Sequence, residues 1–139
     1  MEQNRALGLL SLAKKGGNLE SGEENVGAAC RAGHARLILL AYDAADNAFR
    51  RARSFSAGGK IPFLRVPFTK EELGRALGRA VCAMAAVTDV SLALAVVQAL
   101  GQPEKYQGLL DDLEKKVQRV KQRRQEEKAH RNNVKHGKK

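Results

Sequence analysis

The stretch Ser21-Gly22-Glu23-Glu24-Asn25-Val26-Gly27-Ala28-Ala29-Cys30-Arg31-Ala32-Gly33 gathers the residue types from which a polar ligand site is built. Ser21 and Glu24 stand at capping-box spacing: the hydroxyl accepts from an early backbone N–H and the carboxylate reaches back to the cap. Gly33 can turn left-handed and close the helix. Just upstream, Lys14-Lys15-Gly16-Gly17-Asn18 is basic and flexible. A helix N-terminus presents unpaired N–H groups and favours anions, so a basic glycine loop feeding it can seat a phosphate. Glu23 and Glu24 oppose an anion at that place but can accept from base amino groups. An ordinary capped surface helix carries the same signature, so the rest of the chain has to decide.

Catalytic patterns are absent. The three histidines are His34, His130 and His136, and none stands in a His-Glu-x-x-His run. There is no Gly-x-Ser-x-Gly elbow and no Gly-x-x-x-x-Gly-Lys-Ser/Thr loop. Gly16, Gly17 and Gly22 have the wrong spacing for a dinucleotide fingerprint and lack the preceding strand. Asp43 and Asp46 follow an apolar run, where helix capping accounts for them. Cys30 and Cys82 sit among small apolar residues, without metal-ligand spacing, and read as reduced core thiols. The expectation is a protein that is not an enzyme and takes no cofactor or metal.

Charge points to a polyanionic partner. The 139 residues carry a net +10. Residues 1–103 hold 13 Lys+Arg against 9 Asp+Glu, and residues 104–139 hold 12 against 6, so the final quarter is the more basic part. Aromatic residues make up only 4% of the chain, which argues against a base-stacking platform for single strands. No apolar run approaches the ~18 residues of a membrane span, and Met1-Glu2-Gln3-Asn4-Arg5 does not start a secretory signal. A cytoplasmic protein with no membrane association is expected.

These residues are positioned by short alternating elements. Residues 3–14 form a helix whose apolar face holds Leu7, Leu10 and Leu12, ended by Gly16-Gly17. Leu19 marks a very short strand. The second helix runs from Gly22 to Ala32, with Val26, Ala29 and Cys30 on one face. Arg36 to Tyr42 is a strand buried on both faces, and Asp43 caps a helix over about 46–55. Residues 56–60 are a loop, and Ile61–Val66 is a strand whose Pro62 belongs at its start or on a sheet edge. Thr69 and Glu72 repeat the capping-box spacing before a helix stopped by Gly78. Residues 83–88 form a strand. Asp89–Leu100 is a helix with Val90, Leu94 and Val97 on one face. From Glu104 a last helix carries the stripe Leu109, Leu110, Leu113, Val117 and Val120, a face suited to docking on its own domain. Beyond Lys121 apolar residues nearly vanish, and fraying or disorder is expected. Helices on both faces of a small sheet follow from this alternation.

Four blocks in this order resemble a known family: Gly8–Gly17, Ser21–Glu24 running to Arg31-Ala32-Gly33, Leu37–Ala44, and Glu72–Gly78 followed by the alanine-rich strand. Over about residues 5–100 the chain is similar to the kink-turn-binding ribosomal proteins of the L-seven-Ae / L-thirty-e superfamily, and within it to the bacterial YlxQ-like branch. The resemblance implies an α/β/α sandwich around a mixed four-stranded sheet. It also implies RNA binding by one edge. In the family a glycine opens the second helix and is followed by an Asn-Glu pair and a lysine, which contact sheared G·A pairs and backbone. Here Gly22 takes the glycine's place, Glu24-Asn25 is the pair in reversed order, and Ala28 stands in place of the lysine. A charge-assisted contact of roughly 1.5–3 kcal/mol is thereby missing, about one to two decades of affinity. A second family contact, the loop before the last strand, becomes Arg79-Ala80-Val81-Cys82.

The resulting expectation is a non-enzymatic, ribosomal-protein-like RNA-binding protein, monomeric, taking structured RNA of the kink-turn type and associated with the ribosome or its assembly. Residues 1–103 form the RNA-binding domain and residues 104–139 a basic helical extension. The site residues are Lys14, Lys15, Gly22, Glu24, Asn25, Arg31, Arg79 and Val81. Glu24 reads a base edge and the cations hold phosphate. The other reading is a protein-interaction or assembly adaptor that docks partners on the 104–120 helix, with only nonspecific RNA affinity.

Overall fold

The computed structural model describes residues 2–137, with side chains described over residues 5–131. The elements in order are α1 (Glu2–Lys15), β1 (Leu19–Ser21), α2 (Glu23–Arg31), β2 (Leu37–Leu40), α3 (Asp46–Gly59), β3 (Phe63–Arg65), α4 (Lys70–Leu77), β4 (Met84–Val87), α5 (Val90–Ala99) and α6 (Pro103–Gly137). The strands form one sheet in the order β1-β4-β2-β3. β4 runs antiparallel to both neighbours, and β2 and β3 are parallel.

Alternation along the central strands divides the core in two. Leu37 and Leu39 of β2, with Ala85 and Val87 of β4, face α1, α4, α5 and the first half of α6. Ile38, Leu40, Met84 and Ala86 face α2 and α3. Both central strands are therefore buried on both sides and read as unbroken apolar runs. The fold is a three-layer α/β/α sandwich around a small mixed four-stranded sheet, with a long C-terminal helix, as expected.

Local signals behave unevenly. Glu72 N donates to Thr69 Oγ1 at 3.1 Å and Thr69 N to Glu72 Oε1 at 3.0 Å, and left-handed Gly78 closes α4. Asp89 caps α5 by accepting from Leu92 N at 2.9 Å. Asp43 does not cap the helix that follows it. Its Oδ1 accepts from Lys70 N at 2.8 Å, fixing the start of α4 across 27 positions of sequence, while α3 begins at Ala45 with no side-chain cap. Residues 56–59 are not a loop: α3 continues through both glycines and stops at Lys60, whose backbone is left-handed at φ 54. The Ser56 hydroxyl donates to the Ile61 carbonyl and binds this end together.

Two predicted faces are rotated. Leu12 is 62% exposed, because Ala6, Leu10 and Ala13 already meet the sheet. In α5 the buried residues are Ala93, Val96, Val97 and Ala99, while Val90 and Leu94 are partly buried. The 61–66 strand is shorter than expected, Phe63–Arg65 on the sheet edge, and the Pro62 carbonyl accepts from Ile38 N.

Tyr106, Leu110, Leu113 and Val117 of α6 are buried, and the first three join the core shared with α1 and α5. The apolar stripe is thus occupied by the protein's own helices, and the core continues past residue 103. α6 bends at Tyr106. Beyond Val120, through Gly137, it continues as a helix whose described side chains are all exposed; Lys138 and Lys139, where the fraying expectation ends, lie outside the described residues.

Candidate functional site

The sheet has two ends, and the predicted site sits at the one marked by Leu40, Met84 and Ser21. There β1 leads into α2, and the loop 78–83 leads from α4 into β4. Ser21 is not a cap. It is the last residue of β1, 1% exposed, and α2 starts from Gly22 without any side-chain cap. The capping box expected from Ser21 and Glu24 is absent because Ser21 turns into the protein, toward the 79–82 loop. The N–H groups of the first α2 turn therefore have no capping side chain.

Ser21 instead collects donors. Arg79 Nη1 donates to the Ser21 carbonyl at 2.9 Å and to its Oγ at 3.2 Å. Asn25 Nδ2 donates to the same carbonyl at 3.0 Å. Lys14 Nζ approaches Ser21 Oγ at 3.5 Å. One buried residue so binds α1, β1, α2 and the 79–82 loop into a single surface. Asn25 is left with its Oδ1 free to accept, beside the exposed carboxylate of Glu24. The Arg79 fork keeps the three N–H donors that do not belong to Nη1.

Gly22 is required by its backbone conformation, and it also leaves room for Arg79. Its backbone lies at φ 93, ψ 149, a region essentially reserved for glycine, and a Cβ would come within 2.8 Å of Arg79 Nη1. Gly74 does the same for the loop: a Cβ there would meet Arg79 O and Val81 Cα, both at 2.8 Å. The loop thus rests directly on α4 and presents Val81, which is 54% exposed.

The eight predicted residues are not all brought together. Lys14, Gly22, Asn25 and Arg79 converge on Ser21, with Glu24 in the same first turn and Val81 in the same loop. Lys15 is exposed at the end of α1. Arg31 is elsewhere. Six residues of helix carry it about 9 Å along the axis from Asn25 and part-way round, beside Phe55 at the α2–α3 seam. Ala28 and Asn25 line a groove of ≈ 500 Å³ that continues past His34 to Arg36 and Thr88.

Two features of this end escaped the sequence. Ser21 resembled a cap, and only its long-range partner Arg79 reveals its role. Tyr42, just after β2 at the same sheet end, is 64% exposed; an aromatic residue ending a buried strand was the available signal. Burial pushes the Cys82 thiol up from its ordinary value of 9.0, and the nearby Arg79 and Lys14 charges oppose this; burial raises Cys30 as well. Among the described residues no three His, Cys, Asp or Glu side chains cluster to hold a metal, and no helix is long and apolar enough to cross a membrane.

Residues 4–96 match the pattern of the ribosomal protein L7Ae/L30e/S12e/Gadd45 family. The RNA-binding protein YlxQ of Bacillus subtilis is 32% identical over 92 residues, which are 66% of this chain and 91% of that protein. A protein of unknown function from Bacillus halodurans C superposes with a TM-score of 0.63 at 27% identity, over 68% of this chain and 95% of that one. The 15.5kD RNA binding protein of Giardia lamblia shares the fold, with a TM-score of 0.59 at 19% identity over 76% of this chain and 90% of that one.

Proposed function

The chain belongs to the ribosomal protein L7Ae/L30e/S12e/Gadd45 family, and from that premise we propose that it is a non-enzymatic RNA-binding protein acting through the Gly22–Asn25 and Arg79–Val81 edge. The observation that carries this reading is the convergence on Ser21, which holds an uncapped helix start, two side-chain acceptors and an arginine fork on one surface. Acceptors on Glu24 and Asn25 suit base amino and imino groups. The remaining donors of Arg79, the α2 N–H groups and the ammonium groups of Lys14 and Lys15 suit phosphate. Val81 offers an apolar contact for an unstacked base.

A structured RNA of the kink-turn type presents base edges and closely folded backbone together. The likeness to YlxQ, named an RNA-binding protein, supports the same class of ligand. Ala28 replaces a family cation on the groove floor, so affinity at this edge depends more on hydrogen bonding than on charge. We assign the protein to the cytoplasm, as a monomer that works with the ribosome or during its assembly. The adaptor reading loses the apolar stripe of α6, which is buried against α5 and the core.

The test is a titration of a kink-turn RNA and a straight duplex of equal length, at low and physiological salt. A preference for the kinked RNA that survives added salt, and that falls in Glu24→Ala/Asn25→Ala, is the expected result. Equal affinities that collapse together with salt would refute the edge as a reader of structure.

A further inference from the structure

The opposite end of the sheet carries a second groove, of ≈ 250 Å³, outside the 4–96 family match for its α6 wall. Its cations come from three separate elements: Arg36 before β2, Lys60 at the end of α3, and Lys116, Arg119 and Arg123 on α6. Among the described residues no carboxylate lines it. Positions 116, 119 and 123 fall on one helical face, and no acidic residue occurs between Glu114 and Glu126. Lys116 is partnered by Asp112 at 3.1 Å, whereas Lys60, Arg119 and Arg123 make no ion pair among the described residues.

Lys60 adds an independent observation. It is the one non-glycine residue with positive φ among the described residues, directly after two glycines that would adopt that conformation more cheaply. A lysine at a helix end also complements the carbonyl dipole, but that does not account for the three α6 cations turned toward it. Arg36 lines this groove and also the α2 groove that starts at Asn25. The two grooves thus meet at Arg36, and the α2 groove also carries one carboxylate, Glu20.

We propose that the Arg36–Lys60–Arg119–Arg123 groove is a second RNA site, which grips the phosphate backbone of a duplex stem without reading its sequence. The duplex-binding half of this inference stands by itself; its continuity with a kinked RNA rests on the function proposed above. A groove of cations lacking aromatic neighbours or paired acceptors selects backbone charge, not base identity.

The experiment titrates a straight RNA duplex and a kink-turn RNA by fluorescence anisotropy over a range of salt. It compares Lys60→Gly/Arg119→Ala/Arg123→Ala with a control of equal charge, Lys121→Ala/Arg124→Ala/Lys128→Ala, whose side chains lie outside the groove. The groove variant is expected to lower the duplex salt slope by roughly 2–3, about 0.9 for each phosphate left without its cation; the control is expected to lower it by less than half as much. Lys60→Gly alone lowers it by about 0.9 while leaving the melting temperature unchanged or higher. Equal losses in groove variant and control, or no loss in the groove variant, would overturn the proposal. The ratio of kinked to straight affinity is expected to stay unchanged in the groove variant, and a fall there would overturn the assignment of the groove to backbone charge alone. Failure of the edge reading shows separately, as a ratio near one in the wild type or a ratio unmoved by Glu24→Ala/Asn25→Ala.

Discussion

The two ends of the sheet are built on opposite plans. At the Ser21 end, Arg79 and Asn25 are tied to one buried carbonyl, and glycines allow the chains to touch. At the Arg36 end, Lys60, Arg119 and Arg123 stand around an open groove with no anionic partner among the described residues. The first arrangement fixes geometry and suits a ligand recognised by shape. The second fixes charge density and suits a ligand recognised by its phosphates. A protein with both can hold a folded RNA by its irregular part and its regular stem.

The contrast can be broken from either side. Leu113 is fully buried and anchors α6, which supplies three of the cations of the open end. Leu113→Ala should cost about 2–5 kcal/mol, read from urea unfolding, and should weaken duplex binding in proportion to the loss of docked helix. At the closed end, Gly74→Ala should destabilise by about 1–3 kcal/mol through contact with the 79–81 backbone. Intrinsic helix propensity predicts the opposite, a gain of up to ~1 kcal/mol, so the sign of the change decides whether the loop rests on α4 as described.

Smaller changes sharpen the comparison. A chain ending at Val120 keeps every α6 side chain that is buried among the described residues, so its stability should match the full protein within about 0.5 kcal/mol. In the full chain the amides of 121–131, where every side chain is exposed, should exchange rapidly, because a helix without a packed face is marginal in water. Slow exchange there would show that something holds the segment. The smallest expected effect is on pH dependence. Burial raises the Cys82 thiol in the folded protein, so the folded state favours the protonated thiol. Its contribution is fully present below the unfolded value near 9.0 and is lost as pH climbs from there toward the folded value. Cys82→Ser should flatten the decline in melting temperature above pH 9.

Much of the fold was legible because its signals are local. The Thr69–Glu72 box and the Gly33 and Gly78 stops act within one helical turn, and each appears where its spacing put it. The paired apolar runs 37–40 and 84–87 required a sheet covered on both faces. The same local logic misplaced Ser21 and Asp43. Each has a residue within four positions that suits it, yet each bonds a partner 58 or 27 positions away. Arg31 looked like part of the edge because it closes the same sequence block as Glu24, but helical rise carries it to another surface.

Residue types and spacing were enough to establish the alternation of elements, the lack of catalytic patterns and the basic bias of the last quarter. Which cations meet was beyond them. Arg79 reaches Ser21 because strand register sets Ser21 opposite Ala85 and thereby brings the 79–82 loop over the start of α2. Lys60 and Arg119 share a groove because α6 packs on α5 and crosses the end of the sheet. Spacing along a chain encodes contacts within a turn of helix or a step of strand. Contacts between distant segments depend on register and on how layers pack, and these emerge only when the whole core has closed.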